Sequence, residues 1–284
     1  MLTDARPIDL PAPETLAREL SARLDGFQNI AWLASTGSTN ADLLARARHC
    51  TAPWLLGTHL QNTGRGRAGR PWKNRSGATL MFSCAFPVCL PPAQLPMLSP
   101  VAGLVAGETL RRLAGDADAL CVKWPNDLQW HDAKLAGILV ESTRNSNAPH
   151  AYTIVIGMGL NLADANQLSQ SLGRSIADWG TVMHTTGAPA VSAADIVSAC
   201  ATAWQRAIHE LETQGFAPFR QRYTALDALA GRDVNVIDQG AVLYSGIAQG
   251  LDEQARLMVN TATGTIPVSI GEISIRPRTE EVAR

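Results

Sequence analysis

Leu16, Leu20 and Leu24 recur every four residues behind Pro13, which predicts a short amphipathic helix over about 13–25. Apolar runs then predict strands at 29–35 (NIAWLAS), 54–61 (WLLGTHLQ) and 78–86 (ATLMFSCAF). Between the first two, ADLLARARH reads as a helix, with Ser38 or Thr39 at its start as a natural N-cap. Leu98, Val101, Leu104, Val105 and Leu110 form the apolar side of a helix over about 97–114. Four further strands are predicted at 120–124, 127–130, 134–142 and 153–162, and helices at 192–213 and 216–226. Past Gly231 the pattern changes to short β runs: DVNVI, AVLYSGIAQG, ARLMVNTA, TIPVSI and EISIR. The expected architecture is α+β, with a larger domain over 1–230, of which 1–27 is a helical N-terminal extension. A small β unit is expected over 231–284, too short to be a secure fold by itself.

Composition places this pattern in an ordinary globular protein: 284 residues, 46% hydrophobic and 17% charged, with a net charge of −1. The near-neutral balance argues against a nucleic-acid partner, but the distribution is uneven. No acidic residue lies between Asp42 and Glu108, while Arg46, Arg48, Arg65, Arg67, Arg70, Lys73 and Arg75 all do. Such a local positive field concentrates small anions. Five cysteines, odd in number and with no CxxC pair, indicate buried thiols in a reducing compartment. No signal peptide is visible. The uncharged stretch 76–107 is interrupted by Pro87, Pro91, Pro92, Pro96 and Pro100, which argues against a membrane span. A cytoplasmic protein is expected.

The positive charge is concentrated in QNTGRGRAGRPWKNRSG, residues 61–77. Glycine permits close approach of the backbone to a ligand. Arginine supplies a planar fork matched to carboxylate and phosphate. With Trp72 among them, these residues are suited to cover an anionic, ring-bearing ligand; the alternative is a solvated basic loop. Gly64, Gly66 and Gly69 formally match the dinucleotide fingerprint, but no acidic residue follows at the ribose-binding distance. Walker A, kinase, GxSxG and zinc-ligand patterns are absent.

A second string, Lys123-Trp124-Pro125-Asn126-Asp127, must be an extended turn, because Pro125 keeps Trp124 out of helical geometry. Asp127 is a candidate Mg²⁺ ligand and Lys123 a phosphate contact; a turn with an internal Lys–Asp pair is the alternative. Lys134 opens the run KLAGILVE, where a snorkelling lysine is the competing reading.

GRGRAGRPW (64–72), KWPNDL (123–128), KLAGILVE (134–141) and IGMGLN (156–161) occur in this order and spacing. So arranged, the chain closely resembles the biotin–protein ligases from about residue 28 to residue 276; Ser38-Thr39-Asn40 and Gln61 also match. The resemblance implies a mixed sheet of the class II synthetase-like type, packed with helices, and a C-terminal SH3-like β-barrel. It implies ATP-dependent formation of biotinyl-5′-AMP with Mg²⁺, then transfer of biotin to a lysine of a biotin carboxyl carrier protein. Lys134, Arg65 and Arg67 would be catalytic. Ser38, Thr39, Asn40, Gln61, Arg65, Gly66, Arg67, Lys134 and Gly157 would bind biotin. Arg67, Arg70, Trp72, Lys123, Asn126, Gly159 and Asn161 would bind the nucleotide, and Asp127 the metal.

After Asn161 the run ADANQLSQSLGRSIADWG lacks the proline expected in that family. The 27 residues before the first catalytic strand are neither basic nor long enough to read DNA, so a ligase without a repressor module is expected, as monomer or homodimer. Two rivals remain: the lipoate ligases and octanoyltransferases, which share the fold, and a non-enzymatic biotin- or nucleotide-binding regulator.

Overall fold

The computed structural model describes residues 10–146, 151–270 and 274–277. Seven strands form the main sheet: β1 (Asn29–Leu33), β2 (Trp54–Thr58), β3 (Thr79–Val88), β4 (Leu120–Lys123), β5 (Asp127–Trp130), β6 (Ala133–Arg144) and β7 (Tyr152–Asn161). Their order is β1-β2-β3-β7-β6-β5-β4. Only β1 and β2 run parallel; the other neighbours are antiparallel. Seven helices accompany them: α1 (Pro13–Ser21), α2 (Thr39–Arg46), α3 (Leu98–Leu113), α4 (Ala165–Leu172), α5 (Trp179–Thr186), α6 (Ala193–Gln214) and α7 (Ala217–Thr224).

Side chains alternate across a strand, so each long strand divides its residues between two unlike faces. Leu80, Phe82, Cys84 and Phe86 of β3, Ile154, Ile156, Met158 and Leu160 of β7, and Ala136 and Ile138 of β6 enter the main core. They meet Leu104 and Val105 of α3 and Val197 and Trp204 of α6. Burial of each large apolar side chain stabilises the fold by about 1.5–3 kcal/mol. The Trp204 indole N–H donates to Ala102 O at 3.1 Å, which satisfies the polar edge of that buried ring.

The intervening positions give the opposite face: Ser83, Gly137, Leu139, Glu141, Gly157, Gly159 and Asn161. Apart from Leu139 these residues are small or polar, so they offer little apolar surface to a covering helix and leave room instead. Only at one end does α2 pack on this face, through a small cluster of Leu43, Ala47, Cys50, Leu56, Ala85 and Val155.

The C-terminal unit is an antiparallel five-stranded sheet made of β8 (Asp233–Asp238), β9 (Ala241–Leu251), β10 (Leu257–Thr261), β11 (Gly264–Val268) and β12 (Ser274–Pro277), in the order β11-β10-β9-β8-β12. It is joined to the main sheet through the Lys123–Asp127 hairpin. The Trp124 indole N–H donates to Ala255 O at 3.1 Å. Along the outer edge of β4, Val122 N–H donates to Leu226 O (2.7 Å) and Ala228 N–H to Val122 O (3.0 Å). A strand edge that would otherwise be unpaired is thereby covered.

The structure differs from the sequence expectation in three places. The first helix ends at Ser21 rather than near residue 25, although Leu24 is still buried in the turn that follows. The strand at 54–61 ends at Thr58, and Gln61 makes only an isolated bridge with Thr36. Between Leu162 and Val191 lie α4 and α5, which the apolar pattern does not mark. No α4 residue is buried, and its apolar side is reduced to Leu168 and Leu172, too short a stripe to mark a helix in the sequence. Asp178 fixes both helices: its carboxylate accepts Thr181 N–H (2.8 Å) at the start of α5 and Ala165 N–H (2.9 Å) at the start of α4. Part of the expected EISIR strand, residues 272 and 273, lies outside the described residues.

Candidate active site

One cleft opens on the polar face of the main sheet, and every sequence-derived candidate except Asn161 lines it. At one end the start of α2 meets β3 and β7. Ser38 caps α2, its Oγ accepting Ala41 N–H at 3.4 Å. Thr39 N–H donates to Gln61 Oε1 at 2.8 Å. The Ser83 hydroxyl donates to Asn40 Oδ1 at 2.6 Å and lies 2.6 Å from Thr39 Oγ1. Because Asn40 Oδ1 can only accept, the Ser83 proton is committed there, and Thr39 must donate to Ser83. Asn40 Nδ2 in turn donates to Glu141 Oε2 (2.9 Å) and Leu139 O (3.3 Å). Gly157 makes this network possible: a Cβ there would lie 2.0 Å from Asn40 Oδ1 and 2.9 Å from Ser83 Oγ.

The Gly/Arg stretch folds back on itself beside this network. Trp72 N–H donates to Gly64 O and Gly66 N–H to Arg70 O, each at 2.8 Å. The tip is a single 3-10 turn over Arg67–Gly69, with Ala68 and Gly69 at positive φ. Arg65 donates to Glu141 Oε1 at 3.0 Å, so one carboxylate holds both the loop and Asn40. Trp72 lies over Gly137 and Gly159, which face each other across β6 and β7. Cβ atoms there would approach the indole to 3.0 Å and 2.5 Å respectively, so the two glycines form a floor that only bare backbone provides.

At the other end of the cleft stands the β4–β5 hairpin. Its turn contains a cis Trp124–Pro125 peptide. Asn126 pins the turn to β6: its side chain donates to Ile138 O, and its own carbonyl accepts Ile138 N–H at 2.9 Å. Lys134 Nζ donates to Asp127 Oδ1 at 2.6 Å and sits 5.4 Å from the centre of the Trp72 ring. The lysine–aspartate pair left open by the sequence therefore exists, but with Lys134 rather than Lys123. Burial lowers the pKa of Lys123, opposed by the Asp127 carboxylate and reinforced by Lys134, Arg276 and Arg174. Burial likewise lowers that of Arg67, with Asp127 again opposing and Arg70 adding to the fall. Positive groups crowd this end of the cleft, where Asp127 is the lining carboxylate among the described residues, an arrangement that suits an anionic ligand.

Asn161 lines a smaller adjoining cavity together with Trp72, Lys134, Leu168, Leu172 and Ile176. Its Nδ2 donates to Lys134 O (3.3 Å) and Ala177 O (3.2 Å). It thus supports the backbone of Lys134 as well as facing the cavity.

Sequence reasoning passed over Ser83, Gly137, Glu141, Arg174 and Arg276. Ser83 could have been found as the polar residue within ATLMFSCAF, and Glu141 as the acid closing KLAGILVE. Arg174 lies outside every recognisable string, and Arg276, though it ends the EISIR run, was read there only as part of a strand. Among the described residues no group of three or more His, Cys, Asp or Glu could hold a metal ion by itself. Mg²⁺ is commonly held by one or two carboxylates plus substrate phosphates, and the single Asp127 carboxylate fits that mode only.

A glycine-floored, cation-rich cleft on the polar face of a mixed sheet, with a small β unit at its mouth, is the architecture of carboxylate-activating protein ligases. Residues 32–161 match the Biotin/lipoate A/B protein ligase family, and residues 230–276 match the biotin protein ligase C-terminal domain. The chain is 34% identical over 269 residues to the bifunctional ligase/repressor BirA of Escherichia coli, covering 94% of this chain and 80% of that protein. It is 31% identical over 278 residues to the biotin–[acetyl-CoA-carboxylase] ligase of Mycobacterium tuberculosis, covering 96% and 98%. The fold matches the biotin protein ligase from Aquifex aeolicus in complex with biotin and ATP, with a TM-score of 0.72 at 22% identity over 89% of this chain and all of that one. The chain belongs to the biotin protein ligase family.

Proposed function

We propose that the protein activates biotin with ATP and transfers it to a lysine of a biotin carboxyl carrier protein, such as that of acetyl-CoA carboxylase. In the first step a biotin carboxylate oxygen attacks the α-phosphorus of ATP. A P–O bond forms, the bond to the bridging oxygen breaks, and pyrophosphate leaves. In the second, the neutral amine of the carrier lysine attacks the acyl carbon of biotinyl-5′-AMP. The C–O bond to AMP breaks, the nitrogen loses a proton, and an amide remains.

The observation that carries this reading is the placement of two unlike ends in one cleft. The neutral network of Thr39, Asn40, Gln61 and Ser83 is suited to a ureido ring, which offers both donors and an acceptor. The cationic end, with Lys134, Arg67 and Lys123, is suited to phosphate. Between them Arg65 and Arg67 would clamp the reacting carboxylate and the α-phosphate, and Gly66 permits their close approach. Lys134 would contact the reacting carboxyl oxygen and stabilise charge in both transition states. Catalysis is then positioning and electrostatic neutralisation, because two anions must be brought into contact.

Trp72, Gly159 and Asn161 would hold the adenine side, with Arg70, Lys123 and Asn126 near the phosphates. Mg²⁺ would neutralise phosphate charge when it enters with the nucleotide, and Asp127 would be the carboxylate that holds it. No helix among the described residues is long and apolar enough to cross a membrane.

Pyrophosphate release from ATP and Mg²⁺, with biotin, lipoate and octanoate supplied separately, tests the proposal. Release with biotin alone supports it. Release with lipoate or octanoate moves the protein to the sister activities, and release with none removes the enzymatic reading.

A further inference from the structure

The segment between α4 and α5 delivers a cation to the cleft that no motif marks. Gly173 ends α4 at positive φ, its N–H donating to Ser169 O. The Ser169 hydroxyl then accepts Ile176 N–H (3.0 Å) and donates to Ile176 O (3.4 Å), closing the turn. On its far side the turn is joined to the site itself. Lys134 N–H donates to Ser175 O (3.0 Å), and Ala177 N–H donates to Lys134 O (2.9 Å). Arg174 therefore sits one residue from a backbone bridge to Lys134, on a turn held from both sides.

Arg174 borders both the main cleft and the smaller cavity beside Trp72. Its guanidinium makes no ion pair or side-chain hydrogen bond with any described residue. That distinguishes it from Arg65, Arg75, Arg111, Arg222, Arg232 and Arg256, each of which is paired with a carboxylate. Its charge reaches Lys123, together with those of Lys134 and Arg276. Among the described residues, Lys123, Lys134, Arg174, Arg276 and Arg67 thus share one end of the cleft, with Asp127 as its carboxylate. A single phosphate does not need so large an excess of positive charge; a polyphosphate does.

Trp72 offers an aromatic face for a planar base, beside a small cavity lined by Leu168, Leu172 and Ile176 as well as by Lys73, Lys134, Asn161 and Arg174. The α-phosphate must lie where a carboxylate can attack it, beside Lys134. The charge left to place is that of the β- and γ-phosphates. We propose that Arg174 binds the terminal phosphates of ATP and the pyrophosphate as it leaves, an assignment that rests on the adenylation reading above. It is a phosphate-binding residue rather than a determinant of the acyl substrate.

Calorimetric titration of the full chain with ATP–Mg²⁺, pyrophosphate–Mg²⁺, AMP and biotin, in wild type, Arg174→Ala and Arg174→Lys, tests it. Loss of one charge-assisted contact at a partly solvated site should raise Kd for ATP and pyrophosphate by roughly five- to tenfold in Arg174→Ala. Kd for AMP and biotin should stay within about twofold. Arg174→Lys should recover most of the loss, since it keeps the charge and loses only the fork. Equal weakening of ATP and AMP would place Arg174 at the α-phosphate or base and overturn the assignment, as would unchanged ATP affinity. A wild-type protein that binds no ATP would remove the adenylation reading itself, and the assignment with it.

Discussion

The floor beneath Trp72 makes a graded prediction. Gly159→Ala would place a Cβ 2.5–2.7 Å from three atoms of the indole, whereas Gly137→Ala would bring one to 3.0 Å of the ring edge and 3.3 Å of Lys134 Nζ. Carbon atoms pack favourably at about 3.5–4.0 Å, so the first substitution demands a shift of roughly 1 Å and the second roughly half that. Strand β7 cannot supply the shift, because it is hydrogen-bonded along its length to β3 and β6. Trp72, half-buried on a loop, must move instead. Neither glycine has a positive φ, so alanine fits the backbone of both. Replacing glycine also restricts the unfolded chain by about 0.4–1 kcal/mol, which offsets part of the strain.

The expected result is a fold that melts within a few degrees of wild type but holds nucleotide poorly. Aromatic stacking on a base is worth about 1–3 kcal/mol, so ATP affinity should fall by roughly five- to a hundredfold in Gly159→Ala. Gly137→Ala should lie between that variant and wild type. Biotin affinity should change little, because the neutral network is built on Gly157 and not on this floor. Parallel titrations with ATP and biotin, beside thermal melts, measure all three quantities. An ATP affinity in Gly159→Ala equal to that of wild type would refute the role given to Trp72.

Other substitutions separate the remaining roles. Lys134→Ala should still bind ATP yet lose roughly 10²–10³ in single-turnover pyrophosphate release, as removal of a transition-state donor does elsewhere; a near-normal rate would exclude Lys134 from the chemistry. Arg67→Ala should fold normally and release the adenylate faster, by roughly tenfold or more for a lost charge-assisted contact; an unchanged off-rate removes Arg67 from the site. Burial raises the Asp227 pKa to about 6, with the hydrogen bond from Leu229 opposing the rise. Between the unfolded value and about 6, the unfolded chain ionises first and the native state holds the extra proton, so stability falls as pH rises. The full effect is of order 3 kcal/mol at 1.36 kcal/mol per unit. Asp227→Asn should therefore gain stability over wild type as pH rises from about 4 to 6 and hold that gain above; a pH-independent difference in urea melts would contradict this assignment.

Much of the site was legible because its chemistry is written in contiguous strings. Arg65, Arg67 and Trp72 share one loop, and Lys123, Asn126 and Asp127 one turn, so local sequence carried the combination. Ser83, Gly137 and Glu141 were harder to see because they contribute through the two-residue alternation of strands, one polar or missing side chain among apolar neighbours. Only the sheet registers bring Gly137 opposite Gly159. Arg174 carried no signal, and Arg276, within a marked β run, gave no sign that it reaches the cleft, since what places them there is long-range. The same division holds for the fold. The apolar runs marked the strands and the long helix α6, whereas α4, with no buried residue and only Leu168 and Leu172 on its apolar side, gave too short a pattern to read. The Lys134–Asp127 pair could not be foreseen because a hairpin and a strand had first to meet.

The tie between Trp124 and Ala255 has a consequence for the order in which the protein becomes competent during synthesis. The last strand of the main sheet is finished at Asn161, and every residue of the neutral network precedes it, although the apolar face of the sheet still awaits α6. The phosphate end waits: Arg174 comes with the turn after α4, the anchor of Trp124 with Ala255, and Arg276 with the last described strand. In a growing chain the residues of the neutral network are therefore all made before the set of cations at the other end is complete.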